Sequence, residues 1–448
     1  MDFQNKKVCI IGYGKSGQAA AERLLAAGAV VKVSEGNNVG AGRDLPVRSN
    51  KIQFESGGHT ADFCCDSDMI VVSPGVHLDI PAIEEARKKD IPVISEIELA
   101  FLFFSKPIIA VTGTNGKTTT ATLIGEMLKS ARLRAVVAGN IGLPLVSIDD
   151  SSLDYVVAEV SSYQLETIDR FRPHIAVLLN LTPDHMDRYK TMEAYTEAKK
   201  RIFMNQTPDD VCIYNHDDDL VREALSDVVS KRAPFSRKEA LDSGLFVNQG
   251  FAVRLNENVA DAVFNAAEVR IKGGHNLENA LAAASAALCC GVPYADIAGT
   301  LREFPGVEHR IEFVRSVNGV DFFNDSKATN PDSTVVALKA LSRGNNIVLI
   351  LGGRDKGTSL KEMCDTVKSS AKSVVLIGEA SDRFEWELKE RGFSQVHRSA
   401  SLEDAVKLSF SMSSSGDSVL LSPACASFDM FKDFEDRGRA FKGIVNGL

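Results

Sequence analysis

A chain of 448 residues is too long for one ordinary hydrophobic core and fits about three domains of roughly 150 residues each. Its 44% hydrophobic and 25% charged residues give an ordinary globular balance, while the net charge of −9 argues against a nucleic-acid partner. There is no apolar run of about 18 residues and no cationic start leading into one, so a cytoplasmic protein with no membrane partner is expected. The eight cysteines show no C-x-x-C spacing and read as buried small apolar residues in a reducing compartment.

Short β-branched runs alternate with amphipathic stretches along the chain, which predicts an α/β fold of parallel sheets covered by helices. Three blocks are expected, at residues 1–95, 96–306 and 307–448. The first has predicted strands at 8–11, 30–33, 69–72 and 91–94. An apolar-aromatic stretch at 99–104 then leads into the second block, with strands at 108–111, 156–157 and 175–179 and a helix around 192–203. Irregular alternation over 236–271 predicts a small β insertion, followed by a helix at 277–288. Phe304-Pro305-Gly306 reads as a linker, because proline and glycine punctuate elements. The third block has predicted strands at 320–323, 347–351, 374–377 and 419–421.

Thr112-Gly113-Thr114-Asn115-Gly116-Lys117-Thr118 follows a predicted strand and precedes a helix. Small residues let backbone N–H groups wrap a phosphate, the helix start adds positive potential, and Lys117 reaches the outer phosphates. Thr118 supplies a hydroxyl for Mg²⁺. Val111 stands where the full phosphate-loop pattern has glycine, so the loop is a variant. Gly12-Tyr13-Gly14-Lys15-Ser16-Gly17 fits a dinucleotide fingerprint, with Glu35 at the end of the next strand. Any nucleotide diphosphate would satisfy that geometry, NAD included, and a plain glycine turn remains the bland alternative.

Glu159 and His185 each follow a strand end and should face the Lys117 loop, since ligands in open α/β sheets lie beyond the carboxyl ends of strands. Lys199 sits in Glu197-Ala198-Lys199-Lys200-Arg201, which by composition is a solvated basic helix face. Further on, His275-Asn276-Leu277-Glu278-Asn279 offers amides to a base or carbonyl. His309-Arg310 offers an arginine to a nucleotide phosphate, and Asp325-Ser326-Lys327-Ala328-Thr329-Asn330 lies at a strand end. Helix capping by Asn276 and Asp325 accounts for part of this pattern.

Taken in order, these segments resemble the Mur ligase family. The resemblance also rests on Gly139-Asn140-Ile141-Gly142, Glu159-Val160-Ser161-Ser162-Tyr163-Gln164, Asp184-His185-Met186-Asp187-Arg188-Tyr189 and Ser422 to Ser427, and it covers essentially the whole chain. It implies a Rossmann-like N-terminal domain, a central P-loop ATPase-like domain and a C-terminal Rossmann-like domain. The implied activity is ATP-dependent addition of D-glutamate to UDP-N-acetylmuramoyl-L-alanine through an acyl phosphate, in peptidoglycan precursor synthesis, by a monomer using ATP and two Mg²⁺ ions.

By the same resemblance, Gly14, Lys15, Ser16, Gly17, Glu35 and Gly36, with the turn Ser73-Pro74-Gly75, meet the UDP-sugar. Asn140, Ser161, Gln164 and His185 lie along its muramoyl tail. ATP contacts come from Gly113, Thr114, Asn115, Gly116, Lys117, Thr118 and Thr119, joined by Asn276, Asn279, Arg310 and Asp325. Thr118, Glu159, His185 and a carbamylated Lys199 hold metal, and Lys117, His185, Lys199 and His309 form the catalytic set. Lys327, Thr329, Lys356, Ser427 and Phe434 meet D-glutamate. With the substrate groups spread over three blocks, domain closure is expected. Rival readings are a related ligase with another amino-acid or folate acceptor, a nicotinamide-dependent oxidoreductase, and a P-loop ATPase that drives motion or assembly.

Overall fold

A computed structural model describes residues 2–36, 52–140, 142–256, 259–355, 357 and 359–448. The chain divides into two compact units, one ending at Phe304 and the other starting at Pro305.

The first unit holds two sheets. Five parallel strands form the first, in the spatial order Ile52–Ser56, Val30–Glu35, Lys7–Ile11, Met69–Val72, Val93–Ser95. The last strand begins two residues later than predicted: Pro92 has no N–H to donate, although its carbonyl accepts from Ile70 N at 2.8 Å. The second sheet has nine strands. Its buried centre is Ile108–Thr112, flanked in parallel by Tyr155–Glu159 and Ile175–Leu178. Both neighbours are apolar almost throughout, as strands covered on two faces must be. The predicted β insertion is present as Gly244–Asn248, Phe251–Asn256 and Val259–Asn265, and it continues this sheet at one edge.

The apolar-aromatic stretch at 99–104 begins inside a short helix, Glu96–Phe101, whose N-cap Ser95 Oγ accepts from Glu98 N. One continuous hydrophobic cluster runs from Val8, Ile10 and Val33 through Ile97 and Leu99 to Ile108, Leu145 and Phe171. Phe3 stacks on Phe103 at 5.1 Å within it. The stretch that the sequence marks as a boundary is therefore where the first two sheets share their core.

In the second unit, Glu312–Val317 runs antiparallel to Val320–Asn324. The sheet then continues in parallel through Ser418–Leu421, Ile347–Gly352, Ala371–Ile377 and Val396–Arg398. Helices cover both of its faces, burying Val335, Leu338, Val367 and Phe384 on one side and Val406, Phe441 and Val445 on the other. Among the described residues no helix is long and apolar enough to cross a membrane. Of the cysteines expected to be buried, Cys289 is exposed and Cys65 and Cys290 are half-buried; all eight are free.

Candidate active site

The strand Ile108–Thr112 delivers the chain into a loop that only glycine can complete at two points. Gly113 has φ +150°, and a Cβ there would stand 2.9 Å from Leu179 Cβ; Gly116 has φ +86°, and a Cβ would overlap Asn279 Oδ1. Asn180, at the end of the neighbouring strand, brackets the loop. Its Oδ1 accepts from Asn115 N at 2.8 Å and its Nδ2 donates to Asn115 O at 3.0 Å. Thr114 Oγ1 donates to Thr182 O and accepts from Thr182 N, and it lies 3.2 Å from the Tyr195 hydroxyl. The helix Lys117–Ser130 starts directly after this bend, with Thr118 and Thr119 buried at its first turn.

Two lysines converge on the loop. Lys117 Nζ donates to Gly113 O at 2.9 Å and to Thr114 O at 2.8 Å. Lys199 Nζ donates to the same Gly113 carbonyl at 2.9 Å and sits 4.7 Å from the Tyr195 ring centroid. Lys199 is 1% exposed, which corrects the solvated basic face that composition suggests. On the helix Met192–Lys200 its buried companions are Tyr195 and Ala198, and Ile202 lies just beyond. These positions form an i, i+3, i+4, i+7 stripe into which Lys199 falls, while Glu197 and Lys200 lie off it. Burial, and next the Lys117 ammonium, hold its pKa well below the ordinary lysine value, against the opposing pull of Asp184 and Glu159.

Glu159 ends the strand beside the loop, in register with Val111, and is 2% exposed. Its Oε1 accepts from Asn140 Nδ2 at 3.0 Å, whereas its Oε2 is buried with no hydrogen-bond partner. An oxygen in that condition suits a hard cation. Among the described residues no three His, Cys, Asp or Glu side chains gather into a metal site by themselves. Mg²⁺ commonly takes one or two carboxylates and completes its shell with phosphate oxygen and water, so the donors near the loop fit it. His185 sits at φ +56°, 42% exposed in its side chain, with its ring 4.7 Å from Tyr163. Ser161 and Gln164 form a capping box: Gln164 Oε1 accepts from both Ser161 N and Ser161 Oγ at 3.0 Å.

Asn279 lies against the phosphate loop, with Thr120 Oγ1 donating to its Oδ1 at 3.4 Å and its own Nδ2 donating to Asn276 Oδ1. The remaining first-unit positions group around the other glycine loop. Ser73 Oγ donates to Gly12 O at 2.8 Å, and Gly17 packs so closely on Gly12 O that no side chain fits. Gly14 opens the helix Lys15–Ala26, which begins at Lys15 and includes Ser16. Glu35 Oε2 accepts from Tyr13 N at 2.8 Å, and Gly36 faces the His59 ring. The carboxylate expected to meet the UDP-sugar thus ties down its own glycine loop.

Within the second unit, Asp325 is fully buried, accepting from Ile311 N at 3.1 Å and Ser422 Oγ at 2.7 Å, and burial raises its pKa to about 7. Lys327 Nζ stands 6.0 Å from the Phe434 ring centroid, and Ser427 is buried nearby in sequence to Phe434. His309 is 3% exposed, 2.8 Å from Asn324 Nδ2 and edge-on to Phe434. Its carbonyl accepts from Lys327 N at 3.1 Å, so it braces the loop that carries Lys327 and Thr329, and Arg310 follows it half-buried. Lys356 lies outside the described residues.

Sequence reasoning missed Arg437. It is 1% exposed and donates to Ser326 Oγ, Ser326 O and Cys425 O, tying the Asp325–Asn330 segment to the Ser422–Ser427 segment. Burial lowers its pKa to about 10. Phe434, Arg437, Phe441 and Val445 share one helix face, and that apolar spacing around an arginine is the signal that could have found it.

The fold and the site define a class, and comparison with known proteins agrees: the chain belongs to the Mur ligase family. Its residues 6–95 match the Mur ligase MurD-like N-terminal domain, 111–287 the Mur ligase middle domain, and 309–425 the Mur ligase glutamate ligase domain. Among curated relatives, the UDP-N-acetylmuramoylalanine–D-glutamate ligase of Clostridioides difficile (strain 630) is 43% identical over 455 residues, covering 100% of both chains. The protein of the same name from Pelotomaculum thermopropionicum is 44% identical over 453 residues, covering 100% of this chain and 99% of its own. A solved UDP-N-acetylmuramate-alanine ligase from Thermotoga maritima shares the fold, with a TM-score of 0.60 at 20% identity over 99% of this chain and 100% of its own.

Proposed function

We propose that this chain is the ATP-dependent ligase that joins D-glutamate to UDP-N-acetylmuramoyl-L-alanine in peptidoglycan precursor synthesis, in the cytoplasm. The observation that carries the reading is the end-to-end match, at 43% identity, to a ligase bearing that name. In this assignment residues 1–95 hold the UDP-sugar, 96–306 hold ATP and 307–448 bring the amino acid.

A carboxylate cannot expel oxide, so the alanyl carboxylate must first be activated. One of its oxygens attacks the γ-phosphorus of ATP, the bond to the ADP oxygen breaks, and an acyl phosphate forms. The neutral amine of D-glutamate then attacks the acyl carbon, the carbon–oxygen bond to phosphate breaks, and the amine proton leaves to a base. Amide, ADP and inorganic phosphate are released. Phosphoryl transfer asks the protein mainly for position and charge neutralisation. The backbone N–H groups of Gly116 to Thr119 cradle the phosphates, those of Thr114 and Asn115 being held by Asn180, and Lys117 turns from the loop carbonyls to the phosphate oxygens. Asn276, Asn279, Arg310 and Asp325 contact the nucleotide.

Glu159, Thr118 and His185, with Lys199 as its carbamate, would hold two Mg²⁺ ions. When bound, Mg²⁺ supplies the positive charge that offsets the phosphate oxygens. The unpartnered Glu159 Oε2 supports this set, and the buried, pKa-depressed Lys199 supports capture of CO₂, which requires a neutral amine. Lys327, Thr329, Lys356, Ser427 and Phe434 receive D-glutamate, and Ser73 to Gly75, Asn140, Ser161 and Gln164 receive the UDP-sugar and its tail. His309 braces the amino-acid loop.

The test is phosphate and ADP release from UDP-N-acetylmuramoyl-L-alanine, ATP and Mg²⁺ across a panel of amino acids. Release that depends on D-glutamate is expected. Equal release with L-alanine or a diamino acid would reassign the acceptor, and an intact nucleotide with all three reactants present would refute the reading.

A further inference from the structure

Arg188 lies outside every role assigned above, yet it is held by three separate groups. Its guanidinium pairs with Glu166 in a fork, Nε to Oε1 at 3.1 Å and Nη2 to Oε2 at 2.5 Å. Its Nη1 donates to the carbonyl of Val76 at 3.3 Å, and its Cζ lies 4.4 Å from the centre of the Tyr163 ring. The side chain is only 11% exposed. Such a set uses the planar fork and the stacking face of arginine together, which lysine cannot reproduce.

The partners lead in two directions. Val76 closes the turn that follows Met69–Val72: Val76 N donates to Ser73 O at 3.0 Å, and Ser73 Oγ reaches Gly12 O of the N-terminal glycine loop. In the other direction, the Tyr163 ring that carries the guanidinium also lies 4.7 Å from the His185 ring. A connected series therefore runs from the glycine loop through Ser73, Val76, Arg188 and Tyr163 to His185. His185 sits on left-handed backbone at φ +56°, uncommon for a residue with a side chain, and its ring lies against Tyr163 and, at 6.5 Å, Tyr195.

We infer that Arg188 and Tyr163 form a positioning pair that couples the UDP-sugar turn at Ser73–Gly75 to the placement of His185. The pair touches no reacting atom; it transmits the position of one substrate-binding element to another. This rests on the ligase reading above, in which both elements serve the same substrate.

The experiment measures kcat and KM for the UDP-sugar and for ATP in full-length Arg188→Lys, Tyr163→Leu, Tyr163→Phe and the Arg188→Lys/Tyr163→Leu double variant, each checked for cooperative thermal unfolding. A cavity of about 340 Å³ beside Arg188, lined also by His77, Leu78 and Arg87, leaves room for a substituted side chain. Arg188→Lys and Tyr163→Leu should each lower kcat/KM for the UDP-sugar by about tenfold or more while KM for ATP holds. Tyr163→Phe keeps the ring and should recover most of the loss. The double variant should be little worse than either single one. Multiplicative losses, equal effects on both KM values, or folded variants with unchanged kinetics would overturn the coupling. A wild-type chain that leaves the UDP-sugar unconsumed would instead sink the ligase reading.

Discussion

Replacing Lys117 by alanine separates the loop's architecture from its chemistry. The ammonium makes hydrogen bonds to the carbonyls of Gly113 and Thr114, but Gly113 O keeps the Lys199 donor at 2.9 Å. The carbonyl of Thr114 is the one that loses its lysine, which should cost about 1 kcal/mol of stability. Turnover should fall much further, by about 10²–10³-fold, the usual effect of deleting one group aimed at developing negative charge. A second consequence follows for Lys199. The Lys117 ammonium is the second-largest influence depressing the Lys199 pKa, so its removal raises that pKa and lowers the neutral fraction at a given pH. Residual activity that depends on CO₂ should therefore move to higher pH. ADP release at saturating substrates, repeated across pH and bicarbonate concentration, gives the kinetic side, and urea unfolding gives the structural side. A folded variant turning over within about tenfold of wild type would refute the role given to Lys117.

Gly116→Ala puts a β-carbon on left-handed backbone and displaces the Asn279 amide; a stability loss of about 2 kcal/mol and weaker ATP binding are expected by urea unfolding and nucleotide titration, and unchanged values would remove the steric argument. Glu159→Gln preserves an acceptor for Asn140 while replacing the carboxylate whose second oxygen has no partner. Thermal stability should hold or rise while the Mg²⁺ concentration for half-maximal activity climbs at least about tenfold, and an unaltered Mg²⁺ titration would rule Glu159 out as a ligand. Glu96 is buried, accepts from Val146 N at 2.7 Å, and is pushed up to about 7 by burial. Its contribution to stability is full below the unfolded carboxyl pKa and is lost as pH rises through about 7, by up to about 3 kcal/mol for the whole shift. Glu96→Gln should thus gain in melting temperature relative to wild type between pH 5 and pH 8, and a pH-independent difference would contradict the assignment.

The phosphate loop was legible because strand, glycines, lysine and helix are contiguous, and local sequence carries the whole geometry. Lys199 was not legible from composition, since Glu197, Lys200 and Arg201 make its neighbourhood look solvated; the buried stripe of Tyr195, Ala198 and Ile202 decides its environment. The central strands were readable from apolar runs. Strands such as Ile52–Ser56 and Lys231–Ser236 were not, the first because it is a half-exposed edge with alternating polar residues, the second because it opens on two cations and contains Pro234. Arg437 and Arg188 act through groups far away in sequence, Ser326 and Val76, and no local pattern announces a partner at such separation.

Buried carboxylates in this chain differ in how far they are satisfied: Glu96 and Glu159 each keep one oxygen without a partner, and of these two it is Glu159 that stands beside the phosphate loop. Glu98 accepts from Asp169 N, Arg170 N and Phe171 N at 2.8–3.0 Å, and Asp150 accepts from Ser105 N, Ser105 Oγ and Lys106 N. Those two secure chain crossings, Glu98 through both of its oxygens and Asp150 through Oδ2. Glu159 is just as buried, but one oxygen has no donor, and a few residues away in space a lysine is buried on a carbonyl that a second lysine already occupies. Each arrangement costs the fold free energy that an apolar residue in its place would not. Both lie beyond the carboxyl ends of the central strands, where a bound polyphosphate would draw Lys117 off the shared carbonyl and a divalent cation would take the open Glu159 oxygen. Packing alone offers no reason for such a pair to sit where the phosphate loop begins.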